Sequence, residues 1–70
     1  SPINEVFFDV KSDEDIDVIS KLLNENGKTT VNINLITDDK ILKFKLKNTR
    51  NLDRKSLNIL RKKEISSTIS

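Results

Sequence analysis

Residues 27–47 read GKTTVNINLITDDKILKFKLK and contain two runs in which apolar and polar residues alternate. Aliphatic side chains alternate with asparagines in VNINL, and apolar side chains alternate with lysines in LKFKLK. Successive side chains of a strand point to opposite faces, so each run predicts a strand with one apolar and one polar face. The intervening residues 37–40, Thr-Asp-Asp-Lys, are typical of a turn. The pattern therefore predicts an antiparallel hairpin with strands over residues 30–36 and 41–47.

The segment before this hairpin predicts a strand followed by a helix. Apolar side chains alternate over residues 4–10. Phe7 on the second face of this strand indicates either a central position in the sheet or a second face that a neighbour partly covers. The helix is predicted to begin at Ser12, whose hydroxyl can accept a hydrogen bond from the amide of Asp15. Apolar residues then recur at helical spacing, and Gly27 is predicted to end the helix in the left-handed conformation.

A second helix is predicted to begin at Asp53, because Leu52 and Leu57 flank it at the positions of a hydrophobic staple. Residues 64–70 fit either a short fourth strand or a frayed tail. The element order is thus β-α-β-β-α, with or without a final strand. We predict a small single α+β domain in which the apolar stripes of both helices pack on one face of a mixed three- or four-stranded sheet built from residues 4–10, 30–36 and 41–47.

The composition excludes several classes of chemistry. The chain has 70 residues, with no cysteine, no histidine and one glycine. It therefore has no disulfides, no thiolate nucleophile, no ordinary zinc site and no glycine-rich phosphate loop. We predict no catalytic activity for this chain alone, and no cofactor, metal or small-molecule ligand. No apolar run approaches the ~20 residues of a membrane helix, and we predict a cytoplasmic protein without membrane contact.

Charge is distributed unevenly along the chain. Residues 1–26 carry a net charge of −5 and residues 27–70 a net charge of +7. Such polarity can mark a nucleic-acid face or a surface for a complementary partner. It can equally bring an acidic helix near a basic one within the same fold.

The polar face of the hairpin is one candidate interaction surface. Three lysines alternate along its second strand, beside the asparagines of the first: Lys43, Lys45 and Lys47. Amides beside ammonium groups suit phosphate contacts, but Phe44 is predicted on the opposite face, and single-strand binders usually stack bases on aromatic rings. Three interpretations stay open: a solvated face that keeps the strand from pairing with other chains, a protein-binding face, and a nucleic-acid-binding face.

A series of apolar motifs follows one order along the chain. The motifs are VFFDV at residues 6–10, the pair Leu22-Leu23, Gly27 before VNINL, LKFKL at residues 42–46, and the leucines Leu52, Leu57 and Leu60. Over roughly residues 5–63, this series resembles the extreme C-terminal domain of the bacterial replicative DNA polymerase III alpha subunit. One departure is that the family places a glycine between the second helix and a last strand, where this chain has KKEIS at residues 62–66.

The resemblance implies that residues 1–70 are the C-terminal fragment of a much longer chain. The parent would be a DNA-directed DNA polymerase, a nucleotidyltransferase, whose catalytic palm, clamp-binding segment and oligonucleotide-binding-type domain lie upstream. No catalytic residue of the family maps onto these positions. In the family, the C-terminal region docks the tau subunit of the clamp loader, so the implied role is protein–protein contact within the replisome during DNA replication.

Partner-binding residues are predicted where charge and backbone groups remain unused. They lie at the open strand edge with its flanking loop over residues 48–51, which contains Arg50, and in the basic turn at the end of the second helix: Arg61, Lys62 and Lys63. Two alternative functions stay open. One is a nucleic-acid-binding module that uses the lysine face, and the other is a small protein whose sheet edge pairs with a copy of itself.

Overall fold

The structure is a computed structural model and describes residues 3–70. Two helices and four strands follow in the predicted order, and residues 66–69 form the fourth strand rather than a frayed tail. The elements are β1 (Glu5–Val10), α1 (Asp13–Leu22), β2 (Thr30–Ile36), β3 (Ile41–Lys45), α2 (Arg54–Lys62) and β4 (Ser66–Ile69). The α+β class is confirmed, and no helix within residues 3–70 is long and apolar enough to cross a bilayer.

The four strands form one mixed sheet in the order β3-β2-β1-β4. β1 and β2 are parallel and joined by α1, whereas β2 and β3 form the antiparallel hairpin. β4 lies antiparallel to β1 on its other side. β1 is therefore internal, which is one of the two arrangements that Phe7 indicated, and β3 and β4 are the two edges of the sheet.

The hairpin turn forms at the predicted residues. The amide of Thr37 donates to the carbonyl of Lys40 (2.9 Å), and the Thr37 hydroxyl accepts from the amide of Lys40 (3.2 Å). β3 ends at Lys45, two residues before the predicted end, although the amide of Leu46 still donates to the Val31 carbonyl (2.9 Å).

The core lies between the helices and one face of the two internal strands. Alternate residues of β1 and β2 point to this face, and each is paired in register with a counterpart on the neighbouring strand. Helix residues and the residue before β4 complete the cluster. Its members are Val6, Phe8, Val10, Ile19, Leu23, Val31, Ile33, Leu35, Leu60 and Ile65.

The helices cover less of the sheet than the pattern predicted. Leu42 and Phe44 of β3 are paired in register with Leu35 and Ile33 of β2, so they lie on the same face. Leu42 is nevertheless 37% exposed and Phe44 is 46% exposed. The helical layer thus covers β1 and β2 and leaves β3 open to solvent.

The start of α1 matches the prediction, but its end does not. The Ser12 hydroxyl accepts from the amide of Asp15 (3.3 Å), as a helix N-cap does. The helix ends at Leu22, and Gly27 does not have a positive φ. The prediction that Gly27 ends the helix in a left-handed conformation is therefore wrong. Gly27 is needed for another reason: a Cβ there would clash with the backbone carbonyl of Arg50.

The ends of α2 are fixed by local hydrogen bonds. The Asp53 carboxylate accepts from the amide of Ser56 (2.7 Å), and this bond lowers the pKa of Asp53. After the helix, Glu64 takes a φ of 64°. The amide of Ile65 donates to Leu60 (3.0 Å) and that of Glu64 to Arg61 (2.9 Å), which is the Schellman motif. Glu64 thus fills the left-handed position that glycine usually takes, and β4 forms without a glycine.

Candidate docking surfaces

Arg50 lies inside the structure rather than on a partner surface. Its side chain is 6% exposed, and its Nη1 donates to the carbonyls of Ser20 (2.7 Å) and Leu23 (2.9 Å). These carbonyls belong to the last turn of α1, where no intrahelical donor is available. The Arg50 guanidinium therefore caps α1 and is not free to bind a partner.

The loop around Arg50 is also engaged within the fold. Arg50 and Thr29 exchange two backbone hydrogen bonds (2.8 and 2.9 Å), and the amide of Asn51 donates to Asn24 (2.8 Å). The Thr49 hydroxyl donates to the Gly27 carbonyl (2.7 Å). The backbone groups of Arg50 and the amide of Asn51 are therefore already paired within the fold and are not the unused backbone that the sequence predicted there.

The basic turn at the end of α2 is exposed, as a partner-binding surface requires. Arg61, Lys62 and Lys63 all lie at the surface. The Arg61 guanidinium donates to the side-chain oxygen of Asn58 one turn earlier (2.9 Å), which orients it along the helix. This turn lies next to β4, at the opposite edge of the sheet from β3.

Lys43 and Lys45 lie on one face of β3, whereas Lys47 lies beyond the end of the strand. Lys43 and Lys45 are exposed and pair in register with Asn34 and Asn32. Lys47 is exposed but follows the end of the strand. All three lysines are therefore exposed on or just after the edge strand β3.

The asparagines of the lysine face donate hydrogen bonds to carboxylates on β1. Asn34 donates to Asp9 (3.0 Å) and Asn32 donates to Glu5 (2.9 Å). Each of these two asparagines thus lies between a lysine of β3 and a carboxylate of β1. The acids reduce the positive potential that a nucleic-acid backbone would meet.

Phe7 shares this face, which sequence reasoning missed. Asn32 is in register with Lys45 on one side and with Phe7 on the other, so all three point to the same side of the sheet. Phe7 is half-buried. The sequence shows that Phe7 points away from the core face of β1. Its position beside the lysines depends on the order of the strands in the sheet.

Large apolar side chains are concentrated at the hairpin. Among residues 3–70, four of the five exposed large hydrophobic residues belong to the end of β2 or to β3. We name these four the hairpin patch: Ile36, Ile41, Leu42 and Phe44. Ile36 and Ile41 are paired in register on the same side of the sheet as Lys43 and Lys45, whereas Leu42 and Phe44 lie on the side that the helices cover. The patch therefore wraps around the free edge of β3.

Within residues 3–70, no strand pairs with the outer edge of β3. In an antiparallel pair, the backbone N–H and C=O groups of every second residue bond to the neighbouring strand. The backbone hydrogen bonds Leu46–Val31 and Thr37–Lys40 show which residues of β3 bond to β2. The backbone groups of Ile41, Lys43 and Lys45 consequently point outward. Apolar side chains, free backbone and lysines thus occur together at this edge.

Within residues 3–70, no group of three or more acidic side chains is arranged to hold a metal ion. Comparison with known proteins gives no match: no family model, no curated protein and no solved structure is significantly similar to this chain.

Proposed function

We propose that this chain is a non-catalytic docking domain that binds a protein partner through the hairpin patch. The observation that carries the proposal is the exposure of Phe44 and Leu42 on the same sheet face as the buried Ile33 and Leu35. Isolated surface apolar residues are common, but contiguous ones mark interaction sites. A partner that covers Leu42 and Phe44 would extend the helical layer from β2 onto β3.

The chemistry of the patch indicates what kind of partner surface would fit it. Its centre is apolar and includes an aromatic ring. Its rim carries two acids of the turn, Asp38 and Asp39, and a larger number of lysines: Lys40, Lys43, Lys45 and Lys47. Protein interfaces commonly combine such a core with a polar rim. The complementary surface is an apolar one bordered by acidic side chains, which would also accelerate the encounter.

The resemblance to the C-terminal domain of the bacterial replicative DNA polymerase III alpha subunit supplies the setting. There the partner is the tau subunit of the clamp loader, in the cytoplasm, during DNA replication. One observation supports this setting: the element order β-α-β-β-α-β, which includes the last strand that the family has.

Two charge reversals of equal size test which surface docks. We propose calorimetric and stopped-flow titration of the tau C-terminal domain into the wild-type chain and two triple variants. One variant carries Glu at positions 43, 45 and 47, and the other carries Glu at positions 61, 62 and 63. We expect the hairpin variant to associate more slowly and with less salt dependence, because its lysines border the patch.

Binding of tau that is lost only in the second variant would move the docking surface to the end of α2. No binding by the wild-type chain, when the folded state is verified by circular dichroism, would contradict tau as the partner.

A nucleic-acid-binding function is the second candidate, because Phe7 lies on the lysine face beside Asn32 and Lys45. Stacking on an aromatic ring can contribute ~1–3 kcal/mol per base. We expect only weak, salt-sensitive binding of single-stranded DNA, since few phosphates would be neutralised and carboxylates share the face. Sub-micromolar binding at physiological salt that is lost on Phe7→Ala would favour this candidate over docking.

Self-association is the third candidate, because a second copy could cover the hairpin patch. Sedimentation of the isolated chain decides it. A dimer that dissociates on Phe44→Ala would identify the copy as the occupant, whereas a monomer at high concentration supports a different partner.

A further inference from the structure

A cleft of about 750 Å³ lies between α2 and the edge strand β4. One wall is a single face of α2, because its residues are spaced three, four and seven positions apart: Arg54, Leu57, Asn58 and Arg61. The other wall consists of Ile65, Ser66 and Ser67. None of these seven residues is acidic, so the cleft combines an apolar floor with two positive charges.

The two arginines are placed to act together. They lie two helical turns apart, ~10 Å along the axis of α2. Arg61 is held by its hydrogen bond to the Asn58 oxygen (2.9 Å), which uses only one of its five donors. The remaining donors of each guanidinium match the two oxygens of a carboxylate.

The free edge of β4 borders this cleft, which Ser66 and Ser67 line. β4 pairs with β1, and within residues 3–70 no strand pairs with its other side. The amide of Ser70 donates to the Glu5 carbonyl (3.1 Å), which sets the alternation of the ladder. The backbone groups of Ser67 and Ile69 therefore point away from β1. An open strand edge beside a helix is the geometry that receives an extended peptide as an added strand.

We propose that the α2–β4 cleft binds an extended acidic peptide, which adds a fifth strand to the sheet at β4. Its backbone would pair with Ser67 and Ile69, and its carboxylates would meet Arg54 and Arg61. Acidic side chains at alternate positions of such a strand share one face and point together towards α2. The cleft lies at the opposite edge of the sheet from the hairpin patch, so this proposal does not rest on the proposed function.

Nuclear magnetic resonance titration of the chain with two short synthetic peptides tests the charge requirement. One peptide alternates glutamate with valine, and the other alternates lysine with valine. We expect the glutamate peptide to shift the amide signals of Ser67 and Ile69 and to slow their hydrogen exchange. Equal effects from the lysine peptide, or shifts confined to β3, would overturn the proposal.

Matched variants test the arginines. Arg54→Glu with Arg61→Glu reverses two charges that line the cleft, whereas Lys55→Glu with Lys62→Glu makes the same change at the same spacing outside it. We expect the first pair to weaken binding of the glutamate peptide about tenfold or more, and the second to change it about twofold or less. Equal losses would show a general charge effect and overturn the site.

A backbone test separates strand addition from ion pairing. A glutamate peptide N-methylated at alternate amides keeps its carboxylates but cannot pair with β4, so we expect it to lose binding. Unchanged binding would overturn strand addition. Tighter binding of inorganic phosphate or single-stranded DNA at Arg54 and Arg61 would overturn the peptide as the ligand.

Discussion

Ile33 and Phe44 lie side by side on one face of the sheet, yet Ile33 is fully buried and Phe44 is 46% exposed. Both are large and apolar, and each lies within an alternating strand. The difference arises from the layer above them, because α1 and α2 cover the internal strands and end before β3. Alternation in a sequence thus indicates which side chains share a face, but not whether another element covers that face.

The first prediction compares these two neighbours. Ile33→Ala should reduce the free energy of unfolding by about 2–5 kcal/mol, because it leaves a cavity in the closed core. Phe44→Ala should reduce it by about 1 kcal/mol, since half of the ring is already in water. Urea denaturation followed by circular dichroism measures both. Similar losses of stability for the two variants would mean that β3 is covered in solution, and would contradict the difference in burial between Ile33 and Phe44.

The second prediction concerns what holds α1 over the internal strands. Arg50→Ala leaves the carbonyls of Ser20 and Leu23 without their charged donor, and we expect a loss of about 2–4 kcal/mol. Lys47→Ala serves as the control, because Lys47 is an exposed residue of the same segment and should change stability by about 0.5 kcal/mol or less. A small effect of Arg50→Ala would show that α1 is held by its apolar stripe alone.

The third prediction concerns the turn that places β4 against β1. Glu64 holds a left-handed φ, which costs ~1–2 kcal/mol for a residue with a Cβ. Glu64→Gly should therefore raise the free energy of unfolding by about 1 kcal/mol, after the greater entropy of glycine in the unfolded chain is subtracted. Lys63→Gly, one residue earlier and not left-handed, is the control and should destabilise. Destabilisation by Glu64→Gly would contradict the left-handed turn.

Much of the fold was predictable because its signals are local. Ser12 and Asp53 mark helix starts through bonds to amides three residues away, and Thr37 closes its turn within the same tetrad. Arg50 and Gly27 were misinterpreted because their partners are distant in sequence. The carbonyls that Arg50 binds are 27 and 30 residues away, and the close approach at Gly27 is to the backbone of Arg50 itself.

The candidate surfaces divide in the same way. The lysine face was predictable from a single strand, since alternation places Lys43 and Lys45 together. The presence of Phe7 on that face required the order of the strands, and the α2–β4 cleft required a strand that the sequence left open. The exposure of Phe44 required the extent of the helical layer, which no local pattern contains.

The smallest expected effect concerns the start of α2. Hydrogen bonding from the Ser56 amide lowers the pKa of Asp53 below its ordinary value of 3.8, so the folded state favours the ionised carboxylate. Its contribution to stability is therefore complete above the unfolded pKa and is lost as the pH falls through the lower, folded pKa. Melting temperatures of the wild type and Asp53→Asn should differ less at pH 2 than at pH 6. A constant difference would contradict this linkage.

The most direct test of the docking account compares two equally exposed apolar side chains at opposite edges of the sheet. Phe44 on β3 is 46% exposed and Ile69 on β4 is 50% exposed. We propose calorimetric measurement of the affinity of the tau C-terminal domain for the wild type, Phe44→Ala and Ile69→Ala. Docking through the hairpin patch predicts a loss of about tenfold or more for Phe44→Ala and about twofold or less for Ile69→Ala. Unchanged affinity of the Phe44→Ala variant would contradict docking through the hairpin patch.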